Sequence, residues 1–227
     1  MRRFVIGDIH GCIHTLEALL WQQLKVTVDD ELFFLGDYID RGPASKAVVD
    51  LLLELRRNGY RITPLRGNHE QLLLDACDSE DMLRLWLYNG ALATLQSFGV
   101  RHPRELSGEY KAFFAALPFY IETDVAILVH AGLNFDVASP LDDTETMLWD
   151  RSLQANPVLL GGRRLIAGHT PMHLSAVRRS LSQAKVLLDG GCVYGRASGY
   201  GYLCALELQS WELFVQPNVE KKSSVYL

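Results

Sequence analysis

The chain has 227 residues, a length that suits a single α/β domain with a sizeable buried core. Its 22 basic and 27 acidic residues give a net charge of -5. That balance lacks the positive excess of a general nucleic-acid binder, so we expect no nucleic acid as the main partner. Any anionic substrate must then be attracted by charges that are placed locally.

Four cysteines are scattered along the chain, and no two form a Cys-x-x-Cys pair. This usage is typical of reduced thiols in a cytoplasmic protein, and we expect no disulfide. No stretch approaches the roughly 18 apolar residues of a membrane helix. The apolar run after Arg2 and Arg3 is too short for a signal peptide, so we also expect no membrane association.

Three predicted strands open the chain, and each ends in a polar loop that contains glycine. The strands are the apolar runs 4–6, 32–35 and 60–65. Their loops are Gly7-Asp8-Ile9-His10-Gly11, Gly36-Asp37-Tyr38-Ile39-Asp40-Arg41-Gly42 and Arg66-Gly67-Asn68-His69-Glu70. Leucines at helical spacing follow the first loop, and segment 44–58 predicts a well-buried helix after the second.

The spacing of these loops is that of consecutive βαβ units. Asp37 follows Asp8 by 29 residues, and Asn68 follows Asp37 by 31. Right-handed crossovers bring the carboxyl ends of parallel strands to one edge of a sheet. We therefore expect Asp8, His10, Asp37, Asn68 and His69 to converge, at the edge where α/β proteins bind their ligands.

The rest of the chain predicts a helical segment followed by more strands. Residues 71–117 predict mostly helix beside the site, with a break near His102 and Pro103. β patterns then return at 119–122, 125–129, 165–167 and 186–188, and in a hairpin of 202–208 with 211–216. Two of these strands end in His130-Ala131-Gly132 and Gly168-His169-Thr170. We predict one domain over residues 1–217 and a polar tail over residues 218–227.

Imidazoles mixed with carboxylate and amide oxygens favour manganese, iron or zinc over a metal that prefers thiolates. Asp37 has two carboxylate oxygens and could bridge two ions. A pair of ions about 3.5 to 4 Å apart clamps a phosphoryl group and activates water at neutral pH. Other phosphate chemistries lack their residues, because the chain has no P-loop Gly-Lys, no Gly-x-Gly-x-x-Gly and no arginine six positions after a cysteine.

Taken together and in this order, the three loops resemble the signature motifs of the phosphoprotein phosphatase family of dinuclear metallophosphoesterases. Further motifs resemble its bacterial and bacteriophage branch, typified by lambda phage phosphatase: Trp86-Leu87-Tyr88-Asn89-Gly90, Trp149-Asp150-Arg151 and Asp189-Gly190-Gly191. The resemblance spans about residues 4–208. It implies two mixed β-sheets in a sandwich flanked by helices, in α/β/β/α layers, and a metal-dependent phosphoprotein phosphatase.

The resemblance also implies the roles of individual residues. One ion is held by Asp8, His10 and Asp37 together with His169, and a second by Asp37, Asn68 and His130, with His169 open between the two. Two divalent ions are implied, manganese first and iron or zinc as alternatives. Arg41, Arg151 and Asn68 bind the phosphate, and His69, oriented by Asp40, protonates the leaving alkoxide. Attack by water activated at the ions is direct and in line, without a phosphoenzyme.

The substrate remains open at this point, because function depends on the rim of a site more than on its fold. A serine/threonine protein phosphatase, with activity on phosphotyrosine as well, is the first interpretation. A dinucleoside polyphosphate hydrolase of the diadenosine tetraphosphatase type is the alternative, and Asp40 and Glu70 favour the phosphatase over it. A catalytically silent binding module is disfavoured because every expected ligand is present. The expected partners are phosphorylated proteins or peptides, and the sequence indicates no oligomeric state.

Overall fold

The computed structural model describes residues 1–195 and 199–220. Its first half is built from parallel strands joined by helices. Strands β1 (Arg3–Ile6), β2 (Glu31–Phe34) and β3 (Arg61–Pro64) lie side by side in that order. Helix α1 (Ile13–Glu17), which continues as a π-helix over Ala18–Leu24, and helix α2 (Ser45–Arg57) make the two crossovers. The predicted βαβ units are therefore confirmed.

A block of short helices follows β3, as the sequence predicts for residues 71–117. A 3₁₀ turn at Pro103–Glu105 breaks the block where the Pro-containing interruption was expected. Ser79 starts one of the helices by accepting the N–H of Met82, which satisfies a free donor of the first turn. The helices are α3 (Asn68–Ala76), α4 (Glu80–Tyr88), α5 (Ala91–Phe98) and α6 (Gly108–Ala115).

A second sheet has the order β4-β5-β6-β7. Its strands are β4 (Tyr120–Glu122), β5 (Ala126–Val129), β6 (Arg164–Ala167) and β7 (Lys185–Leu187). β4 is antiparallel to β5, and the other pairs are parallel, so this sheet is mixed. Helix α7 (Thr144–Trp149) lies between β5 and β6 along the chain, and helix α8 (Leu174–Ser180) between β6 and β7.

The last strands return to the first sheet. They are β8 (Asp189–Gly190), β9 (Tyr202–Glu207) and β10 (Leu213–Pro217), and they give the order β10-β9-β1-β2-β3 with β8 paired to β9. β9 is antiparallel to both β1 and β10, so the first sheet is mixed as well. The predicted hairpin is confirmed. Its second strand begins at Leu213, two residues later than expected, and Trp211 lies in the turn with a φ of 61°.

Alternating side chains divide the core into layers. On β1, Phe4 and Ile6 pack against the helices, while Val5 faces the second sheet. On β6, Ile166 belongs to the inter-sheet core and Leu165 to the outer face. This alternation is the period of two expected of a strand that is buried on both faces. The α/β/β/α sandwich is confirmed.

The start of the predicted polar tail packs against the domain. The Glu220 carboxylate accepts the backbone N–H and the hydroxyl of Thr15 in the first turn of α1. Asn218 donates its side-chain amide to the Cys192 carbonyl at 2.7 Å. Residues 221–227 of that tail lie outside the described residues. Within the described residues, no helix is long and apolar enough to cross a membrane.

Candidate active site

The two sheets bring the candidate ligands together at the carboxyl ends of their strands. Asp8 and His10 follow β1, Asp37 follows β2, and Asn68 begins the helix that follows β3. His130 follows directly after β5 in the second sheet, and His169 lies two residues beyond the end of β6. All six side chains are buried, none with more than 6% exposure. The convergence expected of the first three loops is present in the structure, and two loops of the second sheet complete it.

Backbone strain is concentrated at these loops. Among the described residues, seven other than glycine have a positive φ, and five belong to the candidate site: His10, Asp37, Asp40, Arg41 and His169. Such conformations cost of order 1–3 kcal/mol each and persist where the surrounding structure holds them. The loops also approach each other so closely that some neighbouring positions have no space for a side chain, which explains the glycines there. A Cβ on Gly168, for example, would lie 1.9 Å from Asp8 Oδ1.

Two histidines are fixed so that a ring lone pair faces the centre of the site. His10 donates Nδ1–H to the Ile39 carbonyl at 2.8 Å, and His130 donates Nδ1–H to the Leu35 carbonyl at 2.8 Å. Each Nε2 is therefore unprotonated, which is the tautomer that binds a metal. Burial lowers the pKa of His10 to about 3 and also lowers that of His130, so both imidazoles are neutral.

Acceptor atoms crowd together around the bridging candidate Asp37. Asn68 Oδ1 lies 2.9 Å from both His130 Nε2 and His169 Nδ1. One carboxylate oxygen of Asp37 lies 3.5 Å from His10 Nε2, and the other lies 3.5 Å from His130 Nε2. Lone pairs at these separations repel unless a proton or a cation lies between them. The two oxygens of Asp37 thus face two separate groups of nitrogen and oxygen ligands, which is the arrangement that two bridged divalent ions require.

Unpaired buried atoms support the same interpretation. Asp8 Oδ1 and His169 Nε2 are buried without a hydrogen-bond partner among the described residues, whereas Asp8 Oδ2 accepts the backbone N–H of His169. Burial, together with the charges of Asp189 and Asp37, raises the pKa of Asp8 well above its ordinary range. A carboxyl group in such a place needs a proton or a cation beside it. The donor set therefore fits divalent metal ions.

Two groups of side chains could each hold a metal ion, because the ligand atoms within each group all lie within 4.8 Å of one another. One consists of His10, Asp37 and His69, and the other of Asp37, His130 and His169. His169, which the resemblance left open between two ions, therefore lies with His130. Asp8 stands beside both groups without belonging to either, and it touches His169 through a backbone contact.

Within the first group, His69 forms a carboxylate–imidazole pair with Asp40. The Nδ1–H of His69 donates to Asp40 Oδ2 at 2.6 Å, and Asp40 is fully buried. Burial alone would lower the pKa of His69, but the charges of Asp37 and Asp40 and the hydrogen bond to Asp40 raise it. The Nε2 of the same ring lies 3.9 Å from Asp37 Oδ2, so it faces the centre of the site. The pair can therefore hold a proton next to the bridging carboxylate.

The chain matches the family of calcineurin-like phosphoesterases over residues 1–202. It belongs to this family. The chain is therefore a metallophosphoesterase, a hydrolase whose family binds two divalent metal ions. Its expected place among the phosphoprotein phosphatases and their relatives is confirmed by the similar proteins.

Relatives of this phosphoesterase carry two kinds of name. This chain is 32% identical over 209 residues to serine/threonine-protein phosphatase 1 of Salmonella typhimurium. The alignment covers 85% of this chain and 87% of that protein. The chain is 25% identical over 219 residues to an asymmetrical bis(5'-nucleosyl)-tetraphosphatase of Halalkalibacterium halodurans, covering 85% and 86% of the two chains. A serine/threonine phosphatase structure from Saccharomyces cerevisiae shares the fold, with a TM-score of 0.67, 17% identity and coverage of 97% and 81%. These similarities establish the family and leave the substrate open.

The two candidate phosphate-binding arginines of the phosphoesterase have different surroundings. Arg41 is half-buried, and its Nη1 lies 2.7 Å from His10 Nε2. Arg151 is exposed. Burial lowers the pKa of His169 and the charge of Arg151 adds to that change, whereas at Asp189 the charge of Arg151 opposes the rise in pKa that burial causes. Both guanidinium groups therefore lie within electrostatic reach of the candidate metal-binding residues, from opposite sheets.

Three buried titratable residues lie near the site, and the sequence patterns did not predict a catalytic or binding role for them. The Glu70 carboxylate accepts the backbone N–H groups of Asp37, Tyr38 and Gly67, and burial raises its pKa to about 8. Burial likewise raises the pKa of Asp189 to about 7. Lys185 opens β7 and is 3% exposed. A signal existed for each, since Glu70 and Asp189 lie within quoted motifs and Lys185 precedes an apolar run.

Proposed function

We propose that this phosphoesterase is a serine/threonine protein phosphatase, which also accepts phosphotyrosine. The observation that carries the proposal is the buried Asp40–His69 pair beside the convergent ligands. A serine or threonine alkoxide is a strongly basic leaving group, so its departure requires a proton donor. A nucleoside phosphate is a much weaker base and leaves without one. The 32% identical protein phosphatase supports the same choice.

We also propose how the residues divide around two ions, with manganese as the expected metal and iron or zinc as alternatives. Asp8, His10 and Asp37 would hold one ion, and Asp37, Asn68, His130 and His169 the other. When bound, such a pair polarises the phosphoryl group and activates the attacking water. Residues 1–217 would act as one catalytic domain, because β9 lies directly beside the strand that carries Asp8 into the site.

The remaining side chains bind the substrate and move a proton. Arg41 and Arg151 would bind the non-bridging phosphate oxygens, with the Asn68 amide as a further contact, and guanidinium geometry suits paired oxygens. His69 would donate its Nε2 proton to the leaving oxygen, while Asp40 holds the Nδ1–H and stabilises the ring orientation. Phosphorylated proteins or peptides are the proposed partners. The reaction is a single in-line displacement without a phosphoenzyme.

A dinucleoside polyphosphate hydrolase is the second candidate. The relative from Halalkalibacterium halodurans supports it, because it matches 85% of this chain. Both candidates use a site of the same kind, so the substrate itself must discriminate between them. A silent binding module is disfavoured because the six candidate ligands, the candidate acid and both arginines are all present.

The test is hydrolysis by metal-free protein reconstituted with manganese. A phosphothreonine peptide and diadenosine tetraphosphate are compared at equal concentration, with Asp37→Asn as the inactive control. Faster release of phosphate from the peptide supports the proposal. Faster cleavage of the dinucleotide overturns it in favour of the second candidate, and no hydrolysis of either by protein that has bound manganese overturns both.

A further inference from the structure

Three donors fix both carboxylate oxygens of Asp40. Oδ2 accepts the Nδ1–H of His69 at 2.6 Å and the indole Nε1–H of Trp86 at 2.7 Å. Oδ1 accepts the hydroxyl of Thr94 at 2.6 Å. Asp40 and Trp86 are fully buried, and Thr94 is almost so. The carboxylate therefore has two donors besides the imidazole, and both come from the helical block rather than from the three signature loops.

Thr94 also fixes the backbone of Asp40. The Thr94 hydroxyl oxygen accepts the backbone N–H of Asp40 at 2.8 Å, and Ser45 Oγ lies 3.1 Å from the same oxygen. Asp40 has a φ of 71°, a conformation that needs support from its surroundings. One side chain thus holds both the main chain and the carboxylate of Asp40. Any tilt of that carboxylate would tilt the imidazole bonded to it.

We propose that Trp86 and Thr94 are positioning residues for the candidate acid His69, acting through Asp40. The inference rests on the proposed function, since it presupposes a proton transfer to a basic leaving oxygen. In water a carboxylate rotates freely, whereas here both oxygens of the buried Asp40 are fixed by donors. The indole and the hydroxyl keep Oδ2 aligned with His69 Nδ1, so that Nε2 stays directed into the site.

A purely structural role predicts a different outcome. If Trp86 and Thr94 serve only in packing, replacing them lowers stability and affects all substrates equally. If they position the acid, the loss falls on substrates with basic leaving groups and spares nitrophenyl phosphate, whose leaving group departs without a proton. Selectivity between two leaving groups is therefore the readout that a structural role does not change.

The experiment compares matched pairs of variants. Thr94→Val replaces the hydroxyl with a methyl group, and Thr94→Ser retains the hydroxyl. Trp86→Phe removes the indole N–H, and Leu95→Ala on the same helical block removes buried apolar volume but no hydrogen-bond donor to Asp40. The catalytic rate constants on a phosphothreonine peptide and on nitrophenyl phosphate are measured at saturating manganese, with thermal unfolding and bound metal recorded for each protein.

We expect Thr94→Val and Trp86→Phe to lose about tenfold on the peptide and about twofold on nitrophenyl phosphate, because general acid catalysis contributes ~10²–10⁴ in all. Thr94→Ser should recover the wild-type ratio of the two rates. Leu95→Ala should unfold at a lower temperature with that ratio unchanged. Equal losses on both substrates by Thr94→Val and Trp86→Phe would overturn the inference.

The variant His69→Asn tests the proposed acid itself, independently of Trp86 and Thr94. We expect this variant to show a larger peptide-specific loss, to which Thr94→Val adds nothing when the two are combined. If His69→Asn lacks any leaving-group dependence, the proposed acid is wrong and the inference is overturned with it. If His69→Asn has that dependence and neither Thr94→Val nor Trp86→Phe shares it, only the inference is overturned.

Discussion

Arg41 and Arg151 are the two proposed phosphate ligands, and the structure fixes them in different ways. Arg41 lies inside a signature loop with a φ of 66°, and its backbone N–H donates to the Gly90 carbonyl at 3.2 Å. A Cβ on Gly90 would lie 2.9 Å from Arg41 Cγ, so the turn between α4 and α5 packs closely against the Arg41 side chain. Arg41 is thus fixed by its own loop and by the adjoining helical block.

The position of Arg151 depends on a buried lysine, Lys185, at the start of β7. Its neighbours Asp150 and Ser152 are both held by Lys185 Nζ, at 3.0 Å from Asp150 Oδ2 and 2.7 Å from the Ser152 carbonyl. Burial lowers the pKa of Lys185, while the hydrogen bond and the charge of Asp150 oppose that change. One arginine is therefore fixed by a local motif, and the other by a residue 34 positions away in the chain.

The largest effect is expected for Arg41→Ala. This guanidinium is half-buried beside His10, so its loss should reduce kcat/KM for a phosphothreonine peptide by about 10²–10³, the size of a lost charged transition-state contact. Arg41→Lys should recover only part of the rate, because an ammonium cannot bind two oxygens in parallel. Recovery of the full rate by lysine would contradict paired binding.

A smaller loss is expected for Arg151→Ala. The side chain is exposed, so solvent and salt screen its attraction for phosphate. We expect kcat/KM to fall by about tenfold, with a steeper dependence on ionic strength in the wild type than in the variant. Steady-state rates between low and high salt measure this difference. Equal salt dependence in both proteins would show that Arg151 does not attract the substrate phosphate.

Lys185→Met tests whether the position of Arg151 depends on the buried charge. The variant leaves the Asp150 carboxylate without its cation, so stability should fall by about 3 kcal/mol. The inhibition constant for inorganic phosphate should rise about as much as in Arg151→Ala, and the double variant should add little to that rise. Adding Asp150→Asn should recover part of the stability without recovering phosphate binding.

Limited digestion with trypsin provides a second measurement of the same loop. Trypsin cuts after Arg151, and Lys185 holds the residues on either side of that arginine, Asp150 and Ser152. The wild type should be cut slowly there and Lys185→Met quickly, in metal-free protein as well as in loaded protein. Equal rates of cleavage after Arg151 would show that Lys185 does not hold the loop.

The smallest effect is expected at Gly90. A Cβ there would meet the stem of Arg41 and would sit at a φ of 104°, a conformation that L side chains rarely adopt. Gly90→Ala should therefore lower phosphate affinity a few-fold and stability by about 1–2 kcal/mol. Gly99→Ala is the matched control, because it has a positive φ with no atom within 4 Å of the added Cβ. Gly99→Ala should lower stability and leave phosphate affinity unchanged.

The sheets and the first three loops were predictable for a physical reason. Short apolar runs spaced by about 30 residues allow few topologies, since parallel strands need right-handed crossovers. That rule alone is enough to bring Asp8, Asp37 and Asn68 together. The two histidines of the second sheet required the family resemblance, because no regular spacing relates His130 or His169 to the first three loops.

Contacts between distant side chains were not predictable. Nothing in the apolar pattern of α4 indicates that the Trp86 indole bonds to Asp40, or that Lys185 at the start of β7 bonds to Asp150. Such pairs depend on how helices and strands pack at the level of single ångströms. Sequence patterns set which face of an element is buried, but not which polar atoms meet there.

The number of metal ions bound per chain tests the central claim most directly. Metal-free protein is dialysed against manganese, and bound metal is measured for the wild type, Asp37→Asn and the control Thr94→Ser. We predict two ions in the wild type and in Thr94→Ser, and a loss at both positions in Asp37→Asn, because each oxygen of Asp37 faces a separate group of ligands. One ion or none in folded wild-type protein would contradict the proposed dinuclear site.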